Sequence, residues 1–266
     1  MYNFDHHRPD SLAAALALRA GAADGAYLAG GMTLIPTLKQ RLASPSDLID
    51  LAGVPDLAGI EVKTDRVVIG AMTRHASVAA SDAVKRSIPA LAYLAGQIGD
   101  AQVRNRGTMG GSVANSDPSA DYPAAVIGLG ATIQTDRREI AADDWFKDLF
   151  ETALEPGEMI RAITFPIPSR AAYRKFPNPA SRYAVVGVFV AQFASGVRVG
   201  VTGAGPCAYR ARSIEEALAR RLDPAAVNDA AIDFSRFNSD MHASAEYRGN
   251  LVRVMARRAV EAMLTT

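Results

Sequence analysis

The chain has 266 residues, about half of them apolar, enough to bury one sizeable core or two modest ones. Its 29 Lys and Arg nearly cancel its 28 Asp and Glu, which excludes a global field that would draw it onto nucleic acid or an anionic membrane. A single cysteine, Cys207, excludes an internal disulfide and the thiolate set of an iron-sulfur cluster.

The first residues, Met1 to Pro9, lack the charged start and apolar stretch of a secretory signal, and the longest nearly apolar run, Tyr183 to Ala194, is too short for a membrane helix. The expectation is a cytoplasmic protein without membrane insertion. His6 and His7 point to opposite sides of an extended chain and have no accompanying ligand set, so they read as surface histidines.

After Pro9, a cap at Asp10 or Ser11 and the spacing of Leu12, Ala15, Leu16 and Arg19 predict an amphipathic helix ending at Gly21. A short strand at Ala26 to Ala29 runs into Gly30-Gly31, and a helix follows from Thr33 through Arg41, with Pro36 tolerable in its first turn. Leu48 to Leu51 reads as a buried strand, and Ile60/Val62 with Val67/Ile69 as a hairpin around Thr64-Asp65. Helices are expected at Ser77 to Ser81 and at Ser87 to Gln97, the second interrupted near Pro89, and then a glycine-rich loop. Strands follow at Ala131 to Thr135 and Met159 to Phe165, and Pro166-Ile167-Pro168-Ser169 is the best linker. Beyond it, Tyr183 to Phe193 and Val197 to Ala204 read as antiparallel strands, and Ile214 to Arg221 and Ser244 to Leu264 as helices. In the last of these, Tyr247, Leu251, Val254 and Met255 share one face, and Arg248, Arg253 and Arg257 read as a solvated one.

Two glycine pairs carry the chemistry. In Leu28-Ala29-Gly30-Gly31-Met32-Thr33-Leu34, adjacent glycines between strand and helix permit positive φ and let successive N–H groups converge on an anion. The bland reading of this segment alone is a tight strand-helix turn. The second pair lies in Thr108-Met109-Gly110-Gly111-Ser112, flanked by hydroxyls. Two such cradles suit a pyrophosphate, and Asp121 stands close behind as a fixed acceptor for a ribose hydroxyl or ring N–H, or as a plain turn or cap carboxylate. Gly128-Leu129-Gly130 lacks the last glycine of a dinucleotide fingerprint, and no P-loop, zinc-protease or nucleophile-elbow motif is present.

Taken together, these segments resemble the FAD-binding medium subunits of the molybdenum hydroxylase family, which includes xanthine dehydrogenase and aerobic carbon monoxide dehydrogenase. Ala29-Gly30-Gly31-Met32-Thr33 resembles the first flavin motif and Thr108-Met109-Gly110-Gly111-Ser112 the second. Arg104 to Thr108, Asp117 to Pro123, Ile69 to His75 and Ala245 to Arg248 match as well, so the resemblance spans essentially the whole chain.

The resemblance implies an α+β fold: a split FAD-binding domain of the vanillyl-alcohol-oxidase type over residues 1–167, with subdomains of about 1–52 and 53–167. A C-terminal domain of antiparallel sheet plus helix bundle would cover residues 168–266. By the same analogy, residues 28–34 and 108–112 would wrap the FAD pyrophosphate, Ile98 would line the site, and Asp121 would bind the flavin or its ribityl side. Ile160 would offer backbone contacts, Lys175 would reach the flavin, and Tyr183 would cover one ring face. Read from the residues alone, Lys175 is an ordinary exposed lysine and Tyr183 the start of a buried strand. Arg182 departs from the acidic residue common in relatives, and Phe176-Pro177-Asn178-Pro179 is unusually proline-rich.

The implied partners are a small subunit with two iron-sulfur clusters and a large subunit with the molybdenum cofactor, assembled as a dimer of heterotrimers. This chain would pass electrons from the clusters to an external acceptor, with no side chain acting as acid, base or nucleophile. Substrate would be oxidised on another chain. The alternatives are a stand-alone FAD oxidoreductase of the same fold, resembling the enolpyruvyl reductase of cell-wall synthesis, and a flavin-free docking scaffold.

Overall fold

The computed structural model describes residues 1–265. The first stretch holds β1 (Asp5–His7), α1 (Leu12–Gly21), β2 (Gly25–Leu28), α2 (Leu34–Lys39) and β3 (Asp47–Asp50). These strands form a parallel three-stranded sheet in the order β1-β3-β2. Ser11 caps α1 by accepting from the Ala14 amide, and Ala15 packs with Ile49, Leu51, Val54 and Leu57 in a small core. β1 was not foreseen, because three residues reading Asp-His-His carry no apolar signal. His7 Nε2 lies 2.7 Å from Asp47 Oδ1 on the neighbouring strand, so this histidine has a partner, and among the described residues no cluster of His, Cys, Asp or Glu suits a metal ion.

The second stretch holds β4 (Ile60–Val62), β5 (Arg66–Gly70), α3 (His75–Ala80), α4 (Asp82–Ser87), α5 (Pro89–Gly96), α6 (Ala101–Arg106), α7 (Met109–Asn115) and α8 (Tyr122–Leu129). It continues through β6 (Thr132–Thr135), β7 (Glu139–Ala141), β8 (Phe146–Asp148), β9 (Glu151–Thr152) and β10 (Ile160–Pro166). An antiparallel sheet in the order β4-β5-β10-β6-β7 forms its frame, and β8 and β9 make a separate hairpin. The helix expected over Ser87 to Gln97, with an interruption near Pro89, begins at Pro89 itself, the first helical position, where proline loses no hydrogen bond. The expected glycine-rich loop after it is two helices: Asp100 caps α6 through the Val103 amide and Thr108 caps α7 through the Gly111 amide.

The third stretch holds β11 (Arg170–Pro177), β12 (Ala184–Phe193), β13 (Gly196–Thr202), β14 (Tyr209–Arg210), α9 (Arg212–Arg220) and α10 (Ala245–Thr265). Its sheet is antiparallel in sequence order. β12 reads as a continuous apolar run because both faces are covered: Phe189 and Ala191 join the core of the second stretch, and Val186, Val188 and Val190 the core under α9 and α10. α8 lies on the first of these faces, and all eight of its residues are buried. The approach is so close that a Cβ at Gly200 would fall 2.1 Å from the Ala124 carbonyl oxygen.

The solvated arginine face expected on α10 is corrected at Arg248. This residue is 3% exposed, and its Nη1 donates to the carbonyls of Val185 (2.7 Å) and Gly203 (2.8 Å) while Nη2 pairs with Asp240 at 2.7 Å. Tyr247, expected on the buried face, is 44% exposed. Among the described residues no helix is long and apolar enough to cross a membrane.

Candidate cofactor site

The first glycine turn joins β2 to α2. Gly31 has φ +74°, a conformation that costs an L-residue about 1–2 kcal/mol, and Thr33 begins α2 without a side-chain cap. The amides of Gly31, Met32 and Thr33 donate to no protein acceptor, and the Thr33 hydroxyl is likewise unpaired. The turn is therefore a set of open donors.

The second turn differs. Met109 N–H donates to Thr73 O at 2.9 Å, Gly110 N–H to Ala71 O at 2.8 Å, Gly111 N–H to Thr108 Oγ1 at 3.2 Å and Ser112 N–H to Thr108 O at 3.1 Å. The reading of two equivalent amide nests is corrected here, because the carbonyls of the segment after β5 and the cap of α7 already fill these donors. What the second turn offers is glycine surface and the free Ser112 hydroxyl. Glycine at position 110 is required because a Cβ would fall 2.5 Å from that of Ala71.

The two turns abut. A Cβ on Gly30 would meet the Arg106 carbonyl oxygen at 2.2 Å, and one on Gly111 would stand 3.7 Å from the Ala29 Cβ. Between them opens a cavity of about 440 Å³, a size usual for small-molecule sites. Ala29, Gly30, Gly31, Met32, Thr33 and Leu34 border it on one side. Thr108, Gly110, Gly111 and Ser112 form another side, with Ile98, Asp121, Ile160 and Tyr183 completing the expected wall. Leu28, Met109 and Lys175 do not border it: Leu28 ends β2, Met109 is fully buried, and Lys175 stands behind Asp121.

Lys175 is not the exposed lysine that the residues alone suggest. Its side chain is 7% exposed, and Nζ lies 2.9 Å from Asp121 Oδ1 while donating to the carbonyls of Gln97 and Arg182, both at 2.8 Å. Tyr173 OH donates to the same carboxylate at 2.6 Å. Burial holds the Asp121 carboxyl above the usual carboxylate range, even though the Lys175 charge and the two hydrogen bonds oppose it. Tyr183, expected to start a buried strand, precedes β12 and is 47% exposed, at the end of the cavity it shares with Asp117 and Asp121. The proline-rich segment before it turns on Asn178, whose Oδ1 accepts from the Ala180 and Ser181 amides. It leaves Arg182 at φ +62° with its carbonyl aimed at Lys175.

Residue-by-residue reading assigned no role to several lining groups, including Tyr27, Met72, His75, Asp117 and Glu158. Glu158 is held by Arg138 (2.9 Å), by the Thr135 hydroxyl (2.7 Å) and by the Glu155 amide (2.8 Å). The hydrogen bond from Arg138, above all, lowers its carboxyl to about 2. Met72 and His75 belong to a segment recognised as a whole, so that signal was present. Nothing in the pattern around Glu158 marks it.

The donor set fits a diphosphate-bearing cofactor: open amides and hydroxyls converge at the turns, while the carboxylates of Asp117 and Asp121 stand at the Tyr183 end. The architecture and this cavity define a two-part flavin-binding chain. Residues 2–168 match the family described as the FAD binding domain in molybdopterin dehydrogenase, and residues 171–263 the CO dehydrogenase flavoprotein C-terminal domain. The chain belongs to this family of FAD-binding medium subunits of molybdenum hydroxylases.

It is 37% identical to the carbon monoxide dehydrogenase medium chain of Afipia carboxidovorans, over 97% of this chain and 96% of that one. It is 34% identical to the nicotine 6-hydroxylase medium subunit of Paenarthrobacter nicotinovorans, over 95% and 94%. Among solved structures, reconstituted CO dehydrogenase from Oligotropha carboxidovorans superposes with a TM-score of 0.92 at 36% identity, covering 99% of this chain and 98% of that one. Quinoline 2-oxidoreductase from Pseudomonas putida 86 gives 0.90 at 27% identity, covering 99% and 97%.

Proposed function

We propose that this chain is the FAD-carrying electron-transfer subunit of a molybdenum-containing dehydrogenase complex, taking electrons from iron-sulfur clusters on a small partner subunit and delivering them to an external acceptor. The observation that carries this reading is the cavity between the two glycine turns, with open amides at Gly31, Met32 and Thr33. Those amides, with the Thr33 and Ser112 hydroxyls, would hold the diphosphate. Tyr183 and Ile98 would shield the flavin end, and Ile160 would border it.

Bound FAD supplies the ability to join one-electron donors to a two-electron acceptor. The protein contributes binding and electrostatics. Lys175 holds Asp121 in place rather than standing free in the cavity, so its charge would act on a flavin from behind that carboxylate. Asp121 and Tyr173 stay fixed by the same bonds.

In this reading the partners are a small iron-sulfur subunit and a large molybdenum subunit, assembled as a dimer of heterotrimers; the relatives' names, as medium chains or medium subunits, support partner subunits as such. Residues 1–167 form the FAD-binding domain in this reading and residues 168–266 the C-terminal domain, and the single cysteine suits the reducing cytoplasm. The test is purification from the native source. A yellow complex with flavin absorbance near ~450 nm, molybdenum and iron is expected. Flavin without metals would point to a stand-alone oxidoreductase, and a colourless protein that takes up no FAD would reject the reading.

A further inference from the structure

We propose that His75 donates a hydrogen bond from Nε2 to an oxygen of the FAD held in this cavity, a role that rests on the flavin reading above. His75 opens α3, borders the cavity and is 4% exposed. Its backbone N–H is tied to the Gly107 carbonyl at 3.0 Å, and its ring packs against that of Tyr122, with centroids 5.2 Å apart and planes tilted by 60°. The main chain and one side of the ring are thus fixed.

A structural histidine in a core has its ring nitrogens satisfied by protein groups. His75 has no protein hydrogen bond from its ring, and Nδ1 is wholly buried without a partner. A buried lone pair is tolerated better than a buried orphan N–H, so the proton belongs on Nε2. The Nε2 edge lies under Gly107, where a Cβ would fall 2.5 Å from it. His75, Gly107 and Thr108 border the same cavity, and the Nε2 edge lies against the residue that leads into the second turn, whose own amides are already filled. Burial and the nearby Arg104 charge hold the ring neutral down to about pH 4, so the donor carries no charge of its own at neutral pH. His75 thereby supplies the N–H that Met109 and Gly110 do not.

The test is titration of the flavin-stripped full chain with FAD at neutral pH, followed by flavin fluorescence, for wild type and the variants H75Q, H75N and H75L. A glutamine amide places an N–H near the Nε2 position, whereas asparagine reaches only the Nδ1 position. H75Q is expected to bind within about 3-fold of wild type, and H75N and H75L about 10-fold or more weaker, the fold-change of one lost hydrogen bond. ¹⁵N NMR of the histidine ring should show the Nε2–H tautomer before FAD is added and a downfield move of that proton after it.

Wild-type affinity in H75L, affinity in H75Q as weak as in H75L, or an Nδ1–H tautomer would each overturn the role. If H75L does not fold, the H75Q and H75N pair decides. Wild type that takes up no FAD overturns the flavin reading and this role with it, whereas normal uptake by wild type and H75L alike overturns only the role of His75.

Discussion

The two glycine turns look interchangeable in sequence, yet one is open and the other closed. At Gly31, Met32 and Thr33 the backbone donors have no protein acceptor, whereas at Met109, Gly110 and Gly111 every donor is filled by Thr73, Ala71 or Thr108. A Gly-Gly pair therefore has two distinct uses: presenting N–H groups to a ligand, and letting two backbones approach so that a cavity wall can exist. Groups with filled hydrogen bonds should matter for stability, and groups with open ones for affinity.

The largest effect is expected at Lys175, the extreme filled group. Lys175→Met leaves the Asp121 carboxylate buried without its cation, which should lower the free energy of urea unfolding by about 3–5 kcal/mol. A change below about 1 kcal/mol would show that the pair does no structural work. Next, Gly110→Ala drives a methyl group into Ala71, and a loss of about 1–3 kcal/mol in the same measurement is expected. FAD affinity should change little in whatever fraction stays folded.

Gly31→Ala reverses the balance. The left-handed backbone and the Ile35 Cγ1, 2.9 Å from the new methyl, cost about 1–2 kcal/mol or force the turn to another conformation. FAD affinity, read by fluorescence titration, should fall by about 10-fold or more as the open amides move. Equal losses of affinity in the two glycine variants would erase the distinction between the turns.

A pH-dependent effect concerns acid stability. Because Arg138, Thr135 and the Glu155 amide favour the ionised form, the Glu158 carboxyl sits at about 2 in the folded chain, below its unfolded value. Its contribution is fully present above the unfolded pKa, near ~4.5, and is lost as pH falls from there through about 2. Glu158→Gln should flatten that part of a stability-against-pH curve. An unchanged slope would remove Glu158 from the filled groups.

Several elements were legible because a short pattern decides them. The Leu12 to Arg19 periodicity and Ser11 cap produced α1, and the alternation around Thr64-Asp65 produced the β4–β5 hairpin. α8 was missed because a helix buried on every side has no polar stripe to set its period, so only its first two residues and the Gly128-Leu129-Gly130 run drew notice. Arg248 was misread because its partners, the Val185 and Gly203 carbonyls, lie on and just beyond strands far earlier in the chain. Similarly, the residues around Lys175 reveal neither Asp121 nor the Arg182 carbonyl that a left-handed backbone turns toward it.

By itself the sequence determined where both glycine pairs lie, that the first ends a strand and leads into a helix, and that its single cysteine cannot furnish a cysteine cluster. These are local matters of φ freedom, caps and residue type. Only the tertiary structure decided which turn keeps its donors, because the carbonyls that close the second turn come from Ala71 and Thr73, whereas the Arg106–Gly107 segment that abuts the first turn accepts none of its amides. A hydrogen bond filled by a distant residue is invisible until the chain has folded back on itself, and that distant filling is what separates the binding turn from the supporting one.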